Sequence, residues 1–294
     1  MNYAAIDIGT NSCRLLVAQI QAGKLRPLAR GLESSRLGEG TAHNRVLAPA
    51  AMERTIASLR NFQAIIAQHQ PGQVMAAATS AVREADNRAT FLAMVREQCG
   101  LKVRVLDGEE EAAFSYQAVV QALRLAAPPL VVDLGGGSSE FVFAPGEPEL
   151  IVSLPLGAVR AAEENFAYAE MVRRLEPVRL RRSEFEGSPL VMVGGTVTTL
   201  VAIDKALAVY RPEEVHGQVL TRETIRILYH RLINLPLEER RQLAGLQPER
   251  ADIIPAGALI VLAIMETLGF EELIVSESDL LEGMIWSLAG QEGR

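Results

Sequence analysis

At 294 residues and 31.9 kDa the chain is longer than one ordinary core requires and suits two domains of about 100–200 residues each. A composition 49% hydrophobic and 22% charged excludes a disordered chain. A net charge of −7 and a pI near 5.3 argue against coating nucleic acid or adhering to a membrane, while an anionic small molecule needs only local positive groups.

Apolar, β-rich runs at 3–9 and 13–20 flank a tight Gly9-Thr10-Asn11-Ser12 turn and predict a hairpin. The first run stops at Asp7 with no basic segment ahead of it, so no secretory signal is expected. A strand at 24–30 follows, then a helix over 47–70 with Pro49 near its start. Residues 73–84 read as a buried strand entering a polar turn, 87–100 as a helix closed by Gly100, and 102–106 as a strand. A helix over 108–125 carries Glu109, Glu110 and Glu111 in its first turn, where the helix dipole favours anions. Ala126-Ala127-Pro128-Pro129 then breaks the pattern, giving expected domains 1–125 and 126–294, with the final helix free to pack back on the first.

After this break the opening architecture recurs: an apolar run, the Gly135-Gly136-Gly137-Ser138 turn, another apolar run, a turn at Pro145-Gly146 and a strand at 149–157. A basic helical region covers 158–182; its arginines Arg173, Arg174, Arg179, Arg181 and Arg182 read as a solvated face, with contact to distal phosphates as the alternative. A strand, a Gly194-Gly195-Thr196 turn and a helix start span 190–203, and helices fill most of 221–270. A strand at 273–278 and a helix over 279–290 close the chain. The most apolar stretch, 253–270, contains Pro255 and Glu266 and falls short of the ~20 apolar residues of a bilayer span, so it reads as a buried helix. Cys13 and Cys99 offer no disulfide framework and fit a reducing cytoplasm, and His43, His69, His216 and His230 lack metal-ligand spacing. Strands and helices alternate in both halves, an α/β arrangement.

The sequence AIDIGTNSCRLLV at 5–17 thus has an echo in VVDLGGGSSEFVF at 131–143. A glycine turn between strands gathers backbone N–H groups into a concavity that suits an anion, and Ser12 and Ser138 add hydroxyls. Asp7 and Asp133 beside such a site are consistent with a divalent cation between carboxylate and phosphate, since the two negatives otherwise repel.

These paired turns with the later Gly-Gly-Thr resemble the fold shared by actin, sugar kinases and Hsp70. With ATSAVREADN, VRVLDGEEEA at 103–112, VMVGGTVTTL and VSESDLLEG at 275–283, the chain resembles the exopolyphosphatase/guanosine pentaphosphate phosphatase family along almost its whole length. The resemblance implies two actin-like domains with a cleft between them. It implies an enzyme that removes the terminal phosphate of polyphosphate, or the 5′ γ-phosphate of guanosine pentaphosphate, by attack of water. Residue by residue, it carries the general base onto Glu111 and phosphate binding onto Arg83, with the turns Thr10, Asn11, Ser12 and Gly135, Gly136, Gly137, Ser138 holding phosphates. Asp133 and Glu140, helped by Asp7, match positions resembling a Mg²⁺ site, and a homodimer is plausible from relatives. Three adjacent glutamates on a helix point in different directions, so at most one of 109–111 faces a substrate comfortably. Gly194-Gly195-Thr196 stands where actin-like folds approach a nucleoside, or lines the path of a long substrate, or is a plain strand–helix turn. Thr10 stands where the family often has Ser, and the segment 276–283 lacks the family's usual Gly and Arg. Against the longer members of the family, no further helical domains are expected after the second domain. A kinase of the same fold and a non-catalytic phosphate sensor are the rival functions.

Overall fold

Every residue from Tyr3 to Ile8 is buried, the signature of a strand covered on both faces of its sheet. In the computed structural model, which describes residues 1–146 and 150–290, that strand is β1 (Asn2–Ile8), the centre of a five-stranded sheet. The other strands are β2 (Cys13–Gln21), β3 (Lys24–Glu33), β4 (Gln73–Ala78) and β5 (Val103–Val105), in the order β3-β2-β1-β4-β5. β1, β2 and β3 form an antiparallel meander, while β4 and β5 run parallel to β1. The helices between them are α1 (Thr41–Asn44), α2 (Pro49–His69), α3 (Ser80–Glu84), α4 (Arg88–Cys99) and α5 (Gly108–Leu123).

The second sheet contains β6 (Leu130–Leu134), β7 (Ser139–Phe143), β8 (Leu150–Leu154), β9 (Leu190–Val193), β10 (Val219–Thr221) and β11 (Glu272–Val275), ordered β10-β11-β9-β6-β7-β8. Here β6, β7 and β8 are the meander, and β9 and β11 continue in parallel. Without its edge strand β10, this sheet repeats the first one strand for strand, so the sequence echo extends to the topology of both sheets. The accompanying helices are α6 (Ala158–Glu163), α7 (Tyr168–Arg174), α8 (Glu176–Arg179), α9 (Gly195–Asp204), α10 (Pro212–Val215), α11 (Arg222–Asn234), α12 (Leu237–Arg240) and α13 (Ile254–Leu268). The last helix is α14 (Leu280–Gly290).

The chain divides into two compact units: residues 1–118 together with the segment from Leu280, and Val119–Asp279. The division falls inside α5, ahead of the Ala126–Pro129 break. In the first unit, Ile6, Ile8, Leu59, Phe62 and Phe91 pack α2 and α4 on one sheet face, while Leu281, Met284 and Ile285 of α14 cover the other. In the second unit, α13 is buried along its length among Val132, Met192 and Leu200. No helix among the described residues is long and apolar enough to cross a membrane.

The hairpin, the long helices and the Gly100 terminus (φ +61) match the sequence reading. Several elements differ, the short helices α1 and α10 among them. The polar turn expected at 79–84 is the short helix α3, started by Val82 and Arg83 N–H groups that reach the Thr79 carbonyl. The last strand stops at Val275, because Ser276 and Ser278 bond each other locally: Ser278 N–H donates to Ser276 Oγ, which donates to the Ser278 carbonyl. The edge strand β10 was not expected; its three residues are too few to show a period, and only pairing with β11 defines it. Glu149, the first residue of the strand expected at 149–157, lies outside the described residues.

Candidate active site

In open parallel sheets, ligands gather beyond the carboxyl ends of the strands. In the first unit, the turn 9–12 follows β1, α3 follows β4 and α5 follows β5. Their adjacency is fixed by backbone bonds, Thr79 N–H to the Ile8 carbonyl (3.3 Å) and Leu106 N–H to the Ala78 carbonyl (2.9 Å).

The two glycine turns close identically: Gly9 N–H donates to Ser12 O and Gly135 N–H to Ser138 O, each at 3.0 Å. Behind each turn runs a brace that the sequence reading missed. Arg36 and Gly38 N–H groups donate to the carbonyls of Asn11 (2.9 Å) and Thr10 (2.8 Å). The N–H groups of Ala158 and Val159 donate to Gly135 (3.0 Å) and Gly136 (2.8 Å), and Arg160 Nε donates to the Gly137 carbonyl (2.8 Å). Each brace lies at a Leu-Gly dipeptide, Leu37-Gly38 or Leu156-Gly157, shortly after the third strand of its meander, with both leucines fully buried. A repeat search extended past the turns would have found it.

Because the braces take up the turn carbonyls, the opposite side of the peptide planes is left as donor. Among the described residues no protein acceptor takes the N–H groups of Thr10, Asn11, Gly136 or Gly137. The Asn11 side chain is buried with neither amide atom hydrogen-bonded, a costly arrangement that a ligand would relieve. A Cβ at Gly157 would stand 2.4 Å from the Gly136 carbonyl carbon and oxygen, so a side chain there must displace the turn. We expect Gly157→Ala to lose about 1–3 kcal/mol of stability and to raise KM for a phosphate substrate more than it lowers kcat, measured by thermal unfolding and steady-state kinetics.

Glu111 is placed by a capping box at the start of α5: Glu110 N–H donates to Asp107 Oδ1 (2.8 Å), and Asp107 N–H reaches back to Glu110 Oε2 (3.3 Å). Glu110 is further occupied by Arg104, and Glu109 is exposed. Glu111 alone of the three points inward, 7% exposed, and its Oε2 accepts from Arg83 Nη1 at 2.8 Å. The same Arg83 nitrogen reaches the Leu106 carbonyl (3.0 Å). The structure therefore brings Glu111 and Arg83 together, 28 residues apart in sequence.

The repeated hairpins carry one informative difference. In the first, Asp7 stands opposite Arg14, whose Nε and Nη2 both donate to Asp7 Oδ2 (2.9 and 2.8 Å). In the second, Asp133 stands at the same register opposite Glu140, and both carboxylates are at least nine-tenths buried. Ser153 Oγ donates to Glu140 Oε1 (2.8 Å), which orients that carboxylate without neutralising it. Two buried like charges on one face raise each other's proton affinity unless a cation sits with them, so this pair suits a divalent ion in a way that Asp7, held by Arg14, does not require. Among the described residues no three His, Cys, Asp or Glu side chains cluster at metal-binding distance.

Gly194 (φ +103) and Gly195 open α9 beside this pair; a Cβ on Gly194 would lie 3.4 Å from Asp133 Oδ1, and one on Gly195 would collide with Arg250. The arginines of 173–182 belong mainly to a solvated face: Arg173 and Arg174 pair with Glu170, Arg179 with Glu176 and Arg181 with Glu184, and Arg182 lies against Gly269.

The closing segment is tied down by His216, whose Nδ1 accepts the Glu277 N–H (3.2 Å), and by Tyr210, which donates its hydroxyl to Glu277. Burial holds the His216 imidazolium below its usual range, so between that lowered value and about pH 6.5 the unfolded chain binds more protons. The contribution is present above pH 6.5 and is lost as pH falls. The melting temperature should drop more steeply from pH 7 to pH 5.5 in the native protein than in His216→Asn, which keeps an acceptor but does not titrate.

Compared with known families, residues 16–292 match the sequence profile of the Ppx/GppA phosphatase family. The chain belongs to that family. It is 36% identical to exopolyphosphatase 2 of Mycobacterium tuberculosis, over 98% of each chain. It superposes on the Aquifex aeolicus Ppx/GppA family member with a TM-score of 0.81 at 34% identity, covering 100% of this chain and 99% of that one. An exopolyphosphatase from Cytophaga hutchinsonii, 24% identical, shares the fold with a TM-score of 0.90, covering 99% of this chain and 98% of that one. Each unit of this Ppx/GppA chain accordingly carries the actin-like α/β fold.

Proposed function

We propose that this Ppx/GppA chain hydrolyses the terminal phosphoanhydride bond of inorganic polyphosphate. The observation that carries the reading is the buried Glu111 carboxylate held by Arg83 at the strand ends that also bear the 9–12 turn. Phosphoryl transfer asks a protein for positioning and charge stabilisation, and every group needed is present in duplicate or in a pair. In the first unit the N–H donors of Thr10 and Asn11, the Asn11 amide and the Ser12 hydroxyl offer phosphate-binding groups, as do the N–H donors of Gly136 and Gly137 and the Ser138 hydroxyl in the second. Arg83 turns its guanidinium to the anionic substrate, and Glu111, released from its ion pair, accepts a proton from water as that water attacks the terminal phosphorus. The bridging P–O bond breaks; orthophosphate leaves, and the shortened chain carries away the electron pair. Asp133 and Glu140 would hold a Mg²⁺ or similar ion, which supplies charge neutralisation for the phosphoryl group. Guanosine pentaphosphate, which presents the same terminal triphosphate, is the second substrate we assign. The two buried free thiols, Cys13 and Cys99, support a reducing cytoplasm as its compartment.

Phosphate release from short polyphosphate, long polyphosphate and guanosine pentaphosphate, measured side by side with Mg²⁺, tests this. Release from polyphosphate is expected. Binding without release would make the protein a sensor, and transfer from ATP to an organic acceptor would make it a kinase.

A further inference from the structure

We infer that Gly283 is a positioning residue for the reaction: its missing side chain lets the last helix, α14, lie directly on the backbone of α5 and so fixes where Glu111 stands. This rests on the reading of Glu111 as the base. A Cβ on Gly283 would lie 2.0 Å from the Phe114 carbonyl oxygen, 2.5 Å from its carbon and 2.8 Å from its Cα, the tightest approach to backbone of any glycine among the described residues. Phe114 is three residues beyond Glu111, so it stands one turn further on the same side of α5.

Neither helix has slack to absorb a side chain between them. α14 is anchored from its other side by Leu281, Met284, Ile285 and Leu288, which are buried against Ala5 and Leu16 of the sheet. Its Glu282 is tied to Arg30 of β3 at 3.1 Å. α5 is pinned at its start by the Asp107–Glu110 capping box and by the Arg83–Glu111 pair, so an outward push at Phe114 becomes a shift or tilt at Glu111. In a helix interior Gly→Ala ordinarily favours folding, because glycine loses more backbone freedom. At Gly283 the contact is with backbone rather than a flexible side chain, so the substitution reverses sign.

The test is Gly283→Ala with Gly290→Ala as its control, since a Cβ at Gly290 on the same helix meets nothing among the described residues. For polyphosphate hydrolysis, Gly283→Ala should lower kcat by about 10- to 100-fold, as expected for a base displaced by an ångström, with KM unchanged. Gly290→Ala should behave as the native protein. In a Glu111→Gln background, Gly283→Ala should cause no further loss of kcat, because the group it misplaces is already disabled; general damage to the fold would lower the residual rate again. Should Gly283→Ala alone not yield folded protein, Leu281→Ala opens room on the sheet side of α14, and kcat of the pair is compared with that of Leu281→Ala alone. Native kcat in Gly283→Ala, or additive losses in the double variant, overturns the positioning role while leaving the base in place. Native kcat in Glu111→Gln removes the base itself, a separate result.

Discussion

Glu111→Gln should lower turnover by about 10²–10⁴-fold, the usual contribution of a positioned general base, while substrate binding is kept or strengthened. The carboxylate is buried and ion-paired with Arg83 at 2.8 Å. Glutamine fills the same space and still accepts from Arg83, so the fold should survive. The arginine, however, loses the carboxylate charge of this ion pair, and it becomes a better partner for a phosphate oxygen. The expected signature is a collapse of kcat with KM unchanged or lower, read from steady-state phosphate release and from equilibrium binding of a short polyphosphate. An Arg83→Ala variant should show the complementary pattern, with KM raised.

The second large effect is expected at Glu140. With Asp133 directly opposite and both groups buried, Glu140→Gln removes one of two like charges and should raise the melting temperature of the metal-free protein. The same change should abolish most stimulation of phosphate release by Mg²⁺, since one of two cation-holding carboxylates is gone. Thermal unfolding in a chelator and activity against Mg²⁺ concentration read the two halves independently. A destabilised protein with native Mg²⁺ dependence would mean that the pair is held by other interactions and is not a cation site.

The contrast with the first hairpin makes this argument. Asp7-x-x-x-x-x-x-Arg14 and Asp133-x-x-x-x-x-x-Glu140 have equal spacing, so once the turn is known the register places each pair face to face. That opposition was legible from the hairpin pattern and the repeat together, and it distinguishes a carboxylate neutralised from within from a pair that calls for an ion. The glycine turns, the α/β class and the helix bearing Glu111 were legible for a similar reason: each is a local pattern of a few residues. The Asp107 cap was also written locally, as Asp-Gly-Glu-Glu, although the acidic run drew attention from it.

What could not be read locally depends on strands that meet at long range. Glu111 finds Arg83 only because β4 and β5 lie side by side and end together. The braces are marked by a repeated Leu-Gly but gain meaning only when the N–H groups at and beside it are seen to consume the turn carbonyls. Gly283 looked like part of an altered closing motif; the closeness of α14 to α5 comes from packing, which no spacing along the chain encodes.

Hydrolysis of short polyphosphate in heavy-oxygen water bears most directly on the central claim that water, activated by Glu111, attacks the terminal phosphorus. The account predicts one heavy oxygen in each orthophosphate released and none in the shortened chain, with the rate collapsing in Glu111→Gln. Orthophosphate free of the label, label appearing on the remaining chain, or undiminished release from Glu111→Gln would contradict it.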